Sequence, residues 1–312
     1  MSRFYLGIDT SNYRTSAAVF DAQTGEYYNS GRLLDVKHGT LGLRQSEALF
    51  QHTLHLHEQI ANLPKDIKIN AVCVSTRPRA VEGSYMPCFL AGENVARSIA
   101  SILNVPCFTA SHQQGHLVAA AFSAGKLDLL NKDLLAWHLS GGTTELLFVK
   151  PDENGMPKAE QIGGTSDIAA GQLVDRAGVL LGLQFPCGAE LEQISNKSEP
   201  VKPFDVKVND SIFSLSGMQN KVEQMHKNGV SPEQIARFTI ETITYAVDKA
   251  TKQAKLKFNA PVLCAGGVMS NKSLQKHMSQ KFNAFFASAE LSGDNAVGTA
   301  ILAAKQNGEN LW

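Results

Sequence analysis

The 312-residue chain has no C-x-x-C pair, no low-complexity segment, no apolar run as long as a membrane span, and no net charge. Each absence removes a class of function. The 29 lysines and arginines balance the 29 aspartates and glutamates, and the pI is about 7.1. No global field therefore draws the chain to nucleic acid or to an acidic membrane, and a nucleic-acid partner would need a local basic patch. The one dense basic stretch, "KATKQAKLKF" at 249–258, reads as the polar end of a helix. The five cysteines (Cys73, Cys88, Cys107, Cys187 and Cys264) are odd in number and widely spaced. Several sit in apolar runs, as small buried hydrophobes do, which points to a reducing compartment. "MSRFYLGIDT" lacks the apolar core of a signal peptide. The expectation is a soluble, cytoplasmic protein without membrane contact.

What is present is ordinary globular composition, 43% apolar and 19% charged, in a chain long enough for one large core or two medium ones. "FYLGIDTSNYRTSAAVFD" reads as strand, polar turn and returning strand. "LLAWHLSGGTTELLFVK" at 134–150 repeats the pattern and hints at a duplicated domain. Between them lie an amphipathic helix over 46–62, a buried strand "INAVCVST", a helix "AGENVARSIASIL" and a strand "VPCFTA". The second half continues with a helix over "SDIAAGQLVDRAGVLLGL" and a long helix opened by Ser231, Pro232 and a capping box closed by Gln234. A strand "APVLCAGGV" and a last helix "DNAVGTAILAAKQ" follow. Alternating strands and helices predict an α/β fold. The division is expected near residue 130: an N-terminal lobe over 1–130, completed by a C-terminal helix at 294–307, and a C-terminal lobe over 131–293.

Three polar turns, at 9–16, 140–144 and 265–271, follow strand ends, where backbone N–H groups cradle phosphates. Together they predict a nucleotide cleft between two lobes. "HQQGH" places His112 and His116 one helical turn apart, on one face, as two ligands of a single ion require. The zinc-peptidase pattern would need a glutamate where Gln113 stands, and an amide cannot act as base. A rival set, His52, His55 and His57, reads mainly as a helix face, since Leu54 and Leu56 alternate with it.

"GIDTS", "HQQGH", "LSGGTTEL", "SDIAAGQLVDRAGVLLGLQFPCG", "FSLSGMQN", "CAGGVMSN" and "GDNA" occur in the order of the TsaD family, the tRNA threonylcarbamoyladenosine synthases once called glycoproteases. The chain resembles that family over residues 3–305. The resemblance implies the two-lobed fold of actin, sugar kinases and Hsp70, with ATP between the lobes. It implies metal ligands His112, His116 and Asp294, the ion being iron or zinc. It also implies nucleotide contacts from His138, Leu139, Ser140, Gly141 and Gly142 to phosphate, Asp175 and Gly188 around the ribose, and Asn271 near the adenine. A carboxylate at Asp175 suits ribose hydroxyls.

The chain departs from the family's pattern at the reaction centre. "ETSCDET" becomes "DTSNYRT", so Tyr13 and Arg14 replace an acidic pair, leaving Asp9, Ser11 and Arg14 as catalytic candidates. "ELASRDH" becomes "SEALFQH", "SGGHT" acquires Thr143, and "FSGLK" acquires Gln219. The loop "RPRAVEGSYMP" is longer than the usual "GPG", its Arg77 and Arg79 suit an anion, and the family's basic C-terminal tail is not seen. These features describe a diverged paralogue. The first expectation is a metal- and nucleotide-dependent carbamoyl-type transferase using ATP or an acyl-adenylate, its acceptor put in question. The second is a non-catalytic nucleotide- and metal-binding subunit, a homodimer or a heterodimer with a TsaD- or TsaB-like protein. Peptidase activity is disfavoured, and tRNA is a weakened partner.

Overall fold

The computed structural model describes residues 3–36 and 43–312. The chain forms two compact units, one made of 1–131, 151–158 and 293–312, the other of 132–150 and 159–292. In the first, β1 (Phe4–Thr10) and β2 (Arg14–Asp21) form a hairpin extended by β3 (Tyr27–Leu33). Helix α1 (Gln45–Ala61) leads to β4 (Ile69–Arg77), α2 (Phe89–Leu103) to β5 (Cys107–Ser111), and α3 (His112–Ser123) follows at once. The sheet order is β3-β2-β1-β4-β5, with β4 parallel to β1 and β5 parallel to β4.

Central parallel strands are covered on both faces and so read as apolar runs. Leu6, Ile8, Val72 and Val74 accordingly pack with Val19, Leu56 and Ala96 in one core. Each such side chain contributes about 1.5–3 kcal/mol when fully buried. The register is local in origin, because the short polar turn forces Thr10 opposite Thr15 and every earlier pair follows.

In the second unit, β6 (Leu134–Leu139), β7 (Thr144–Pro151) and β8 (Pro157–Thr165) precede α4 (Ala170–Leu180) and α5 (Gly188–Ser195). Then come β9 (Val208–Asn209), β10 (Ile212–Phe213), α6 (Ser216–Lys227), α7 (Pro232–Phe258), β11 (Val262–Ala265), α8 (Lys272–Phe282) and β12 (Phe285–Phe286). The sheet order is β12-β11-β6-β7-β8-β10-β9. The duplication is explicit here. The β6–β7 hairpin closes on Leu139↔Thr144 as β1–β2 closes on Thr10↔Thr15, and β11 runs parallel to β6 as β4 does to β1. Core residues Leu135, Trp137, Leu139 and Leu146 are shielded by α4 and α7, and Trp137 Nε1 donates to Thr251 Oγ1 at 2.8 Å.

Helix boundaries follow local chemistry. Ser231 Oγ accepts from the Gln234 amide at 3.4 Å with Pro232 in the first turn of α7, and the full reciprocal capping box is found at Ser111 and Gln114 of α3. The helix expected from Ser166 begins later, at Ala170, because Asp167 takes the preceding residues into a bend: it accepts from the Ile168 and Leu215 amides at 2.7 and 2.9 Å. The last helix, α9 (Val297–Gln306), returns to the first unit and packs on α3 and β1. Among the described residues no helix is long and apolar enough to cross a membrane.

Candidate functional site

The β1 sequence changes character at its C-terminal end. After Leu6 and Ile8 come Asp9, Thr10 and Ser11, all at most 3% exposed. Buried polar groups persist only when partnered. Asp9 Oδ1 accepts from Ser75 Oγ of β4 and from His112 Nδ1, the latter at 3.0 Å. Asp9 Oδ2 and Ser11 Oγ are buried with no hydrogen-bond partner.

His112 and His116 project from the first turns of α3, and Asp294 precedes α9. His112 Nε2 and His116 Nε2 are 2.9 Å apart, His116 Nε2 lies 3.1 Å from Asp294 Oδ1, and His112 Nε2 lies 3.6 Å from the same oxygen. Four ligands arranged tetrahedrally at about 2.0–2.1 Å from a zinc ion are spaced by about 3.3 Å. The three donor atoms already have that spacing, and two imidazoles with one carboxylate are a donor set for zinc or iron that leaves positions open. The residues present fit a divalent ion.

The electrostatics agree. Burial alone would push the Asp9 carboxyl up, but the adjoining His112 imidazole holds it below its usual value. Burial would push His112 down, yet Asp9 and Asp294 together raise it to about 10. Asp294 is held well below the carboxylate range, its burial offset by both histidines. The cluster is built to hold positive charge.

Close backbone packing brings the donors together. A β-carbon on Gly298 would fall 1.8 Å from the Gly115 carbonyl oxygen, so α9 lies against α3 only because glycine occupies that point. Gly298 and Gly115 carry no mark in the sequence, and Ser75 is marked only as the first polar residue after the apolar run of β4.

The remaining catalytic candidate turns away from the positions it was expected to serve. Arg14 lays its guanidinium along β3, and Nη2 donates to the Gly31 carbonyl at 3.2 Å. A side chain at position 31 would fill that space, since its β-carbon would be 2.5 Å from Arg14 Nε. Tyr13 is 43% exposed. The rival histidines do not converge. His52 is wholly buried, with Nδ1 2.7 Å from Thr15 Oγ1 and Nε2 2.8 Å from the Ser11 carbonyl oxygen. His55 pairs with Glu58 at 3.5 Å and His57 is exposed. His52, on the buried face of α1 as the helix-face reading has it, is thus a strut under the β1–β2 turn. Burial lowers its pKa, so it stays neutral and ties the turn to α1.

The second unit contains a cavity of about 490 Å³, a volume typical of small-molecule sites. Of the expected nucleotide residues, Gly141, Asp175, Gly188 and Asn271 line it. His138, Leu139, Ser140 and Gly142 do not, and the Leu139 side chain is wholly buried in the core. Phe185, Glu192, Ile240 and Ile243 are among the further lining residues, which no sequence signal marks. Asp175 Oδ1 accepts from the Cys187 amide at 2.9 Å, which fixes the carboxylate at the wall. Asn271 caps α8 by accepting from the Leu274 amide at 3.0 Å. Among the described residues, the ionisable groups on the wall are the carboxylates Asp175 and Glu192, a surface suited to an uncharged ring and hydroxyls more than to phosphate.

The family described as "TsaD: tRNA N6-adenosine threonylcarbamoyltransferase" matches residues 46–301. The chain belongs to the TsaD family. It is 28% identical to a tRNA N6-adenosine threonylcarbamoyltransferase of Streptococcus thermophilus over 97% of this chain and 91% of that protein. It is 31% identical to one of Thermus thermophilus over 77% and 71% respectively. Among solved structures it is similar to a ROK family glucokinase of Streptomyces griseus, with a TM-score of 0.53 and 12% identity over 97% of this chain and 99% of that one. The fold is therefore the α/β, actin, sugar-kinase and Hsp70 type.

Gln219 and the loop after β4, both singled out in the sequence, are held by hydrogen bonds. Gln219 of α6 accepts from Arg176 of α4 and donates to Glu223 at 3.0 Å. In the longer loop, the Pro78 carbonyl accepts from the Gln113 amide at 3.0 Å, and the Arg79 amide donates to Ser84 Oγ at 3.0 Å.

Proposed function

We propose that this protein is a metal- and nucleotide-dependent carbamoyl-type transferase, resembling the enzymes that move threonylcarbamoyl from its adenylate to N6 of adenosine in tRNA. The observation that carries the reading is the triangle of His112, His116 and Asp294, whose donor atoms are spaced for one divalent ion. A non-catalytic nucleotide- and metal-binding subunit would keep the same triangle, so turnover of the adenylate is what separates the two readings.

When bound, the ion, zinc or iron, would supply Lewis acidity toward an oxygen of the acyl-adenylate. The chain's own residues do the rest. Asp9 and Ser75 hold His112 in place, and the α3–α9 contact holds Asp294 against both histidines. Asp175 orients a ribose from the cavity wall, Gly188 leaves room beside it, and the apolar lining around Ile240 and Ile243 takes the base. With the Ser140 and Thr143 amides bonded within the turn, the Gly141 and Gly142 N–H groups suit the phosphate, and such pre-set donors stabilise charge on a leaving group. The His138–Gly142 segment contributes main chain more than side chains, in keeping with the buried Leu139. Among the catalytic candidates, Arg14 is engaged on β3 and Asp9 is turned to His112, which leaves Ser11, whose hydroxyl has no partner. Gln113, an amide, stands where the zinc-peptidase pattern has its glutamate base.

The test supplies labelled threonylcarbamoyl-adenylate with tRNA lacking the modification. Label in tRNA adenosine supports the full family reaction. Release of AMP with label elsewhere keeps the transferase and changes the acceptor. An adenylate that remains unconsumed, with and without a TsaB-like partner, overturns the enzyme in favour of a nucleotide-binding subunit.

A further inference from the structure

Asp9 is 1% exposed, on a central strand beside the apolar Leu6 and Ile8. A carboxylate in such a place is costly unless matched by charge and hydrogen bonds. One oxygen is matched, since Oδ1 accepts from Ser75 Oγ and from His112 Nδ1; Oδ2 is buried and unpartnered. The His112 ring therefore separates Asp9 from the donor triangle, with Nδ1 toward the carboxylate and Nε2 toward His116 and Asp294. With Nδ1 donating its proton to Asp9, Nε2 presents a lone pair to the triangle. Asp9 and Asp294 carry two negative charges on opposite sides of this imidazole, which one dication at the triangle would balance.

We propose that Asp9 is the positioning residue of the metal centre, fixing the His112 tautomer and ring plane while Ser75 fixes Asp9. The inference rests on the reading of His112, His116 and Asp294 as ligands. Asp9 acts through His112: its bonded oxygen is occupied by two donors and the carboxylate is closed to solvent. A carboxylate behind a ligating imidazole raises its basicity and restrains its orientation, and losing one typically weakens metal affinity about 10- to 100-fold.

The test uses the full chain stripped with a chelator and titrated with Co²⁺, followed by visible absorption and chelator competition. The wild type is expected to bind one Co²⁺ with a ligand-field band, and His112→Ala/His116→Ala to lose it. Asp9→Asn, equal in size but uncharged, should bind about 10- to 100-fold more weakly with a shifted band, and Ser75→Ala should move both in the same direction by less. If Asp9→Asn matches the wild type in affinity and band while the double variant loses the ion, the positioning role is overturned and the ligand assignment stands. If the double variant binds as the wild type does, or the wild type shows no band, the ligand assignment fails and the inference with it. Should Asp9→Asn not fold, nitrogen-15 spectra of the zinc-loaded wild type decide: a proton on His112 Nδ1 is expected, and one on Nε2 overturns the proposal.

Discussion

A β-carbon on Gly298 would lie 1.8 Å from the carbonyl oxygen of Gly115. The separation of two helix backbones is thus set by one missing side chain, and the His112–His116–Asp294 triangle depends on it. Gly298→Ala must push α9 away from α3. Overpacking of this kind costs about 1–3 kcal/mol, and metal affinity should fall although every ligand is retained. Thermal unfolding and metal titration of the variant check this; wild-type values in both would show that the contact has no such role.

His52 separates stability from metal binding. Its ring is buried between Thr15 and the Ser11 carbonyl, so His52→Ala opens a cavity and leaves buried polar atoms without partners. A loss of about 2–4 kcal/mol is expected from these two effects together, with metal stoichiometry unchanged once the protein is folded. Denaturant unfolding alongside metal analysis distinguishes a strut from a ligand, and loss of the ion in His52→Ala would restore the rival histidine set.

How much of this was legible beforehand depended on how local each cause is. The hairpin turns, the bounds of α1 and the Ser231 start of α7 follow from periodicity and caps within a few residues. His112 and His116 are four apart, and the spacing itself suggested a shared ion. Asp294 is far away in the chain, and only the family resemblance named it, because no local pattern marks a residue that a distant helix delivers. The Ser75–Asp9–His112 chain depends on which strands lie side by side. The course of Arg14 depends on the absence of a side chain on the neighbouring strand, at Gly31. The role of His52 is hidden for a similar reason, since alternating leucines do not show which histidine of the helix lies beneath a turn formed 37 residues earlier.

Asp167 gives a pH-dependent prediction. Its burial would push the carboxyl up, but hydrogen bonds from Ser214 and the Leu215 amide, with others, hold it well below its usual value. A carboxylate lowered by folding adds stability above its unfolded value, near pH 4, and loses that contribution as the pH falls toward its folded value. Asp167→Asn should therefore melt earlier than the wild type at pH 7, and the two should converge in acid. A pH-independent gap would contradict this assignment.

The cavity can be tested without reference to metal. Asp175→Asn keeps the Cys187 amide bond within reach but removes the charge that favours ribose hydroxyls. Calorimetric titration should show about tenfold weaker binding of AMP and adenosine alike, corresponding to about 1.4 kcal/mol. Equal affinity for both ligands in wild type and variant would exclude Asp175 from the ribose site.

The most direct measurement is elemental analysis of the purified chain beside His112→Ala, His116→Ala and Asp294→Asn. About one iron or zinc per chain in the wild type, with the ion lost or strongly depleted in each variant, is the predicted result. Equal metal content in all four proteins, or none in the wild type after growth and reconstitution with either ion, would contradict the central assignment.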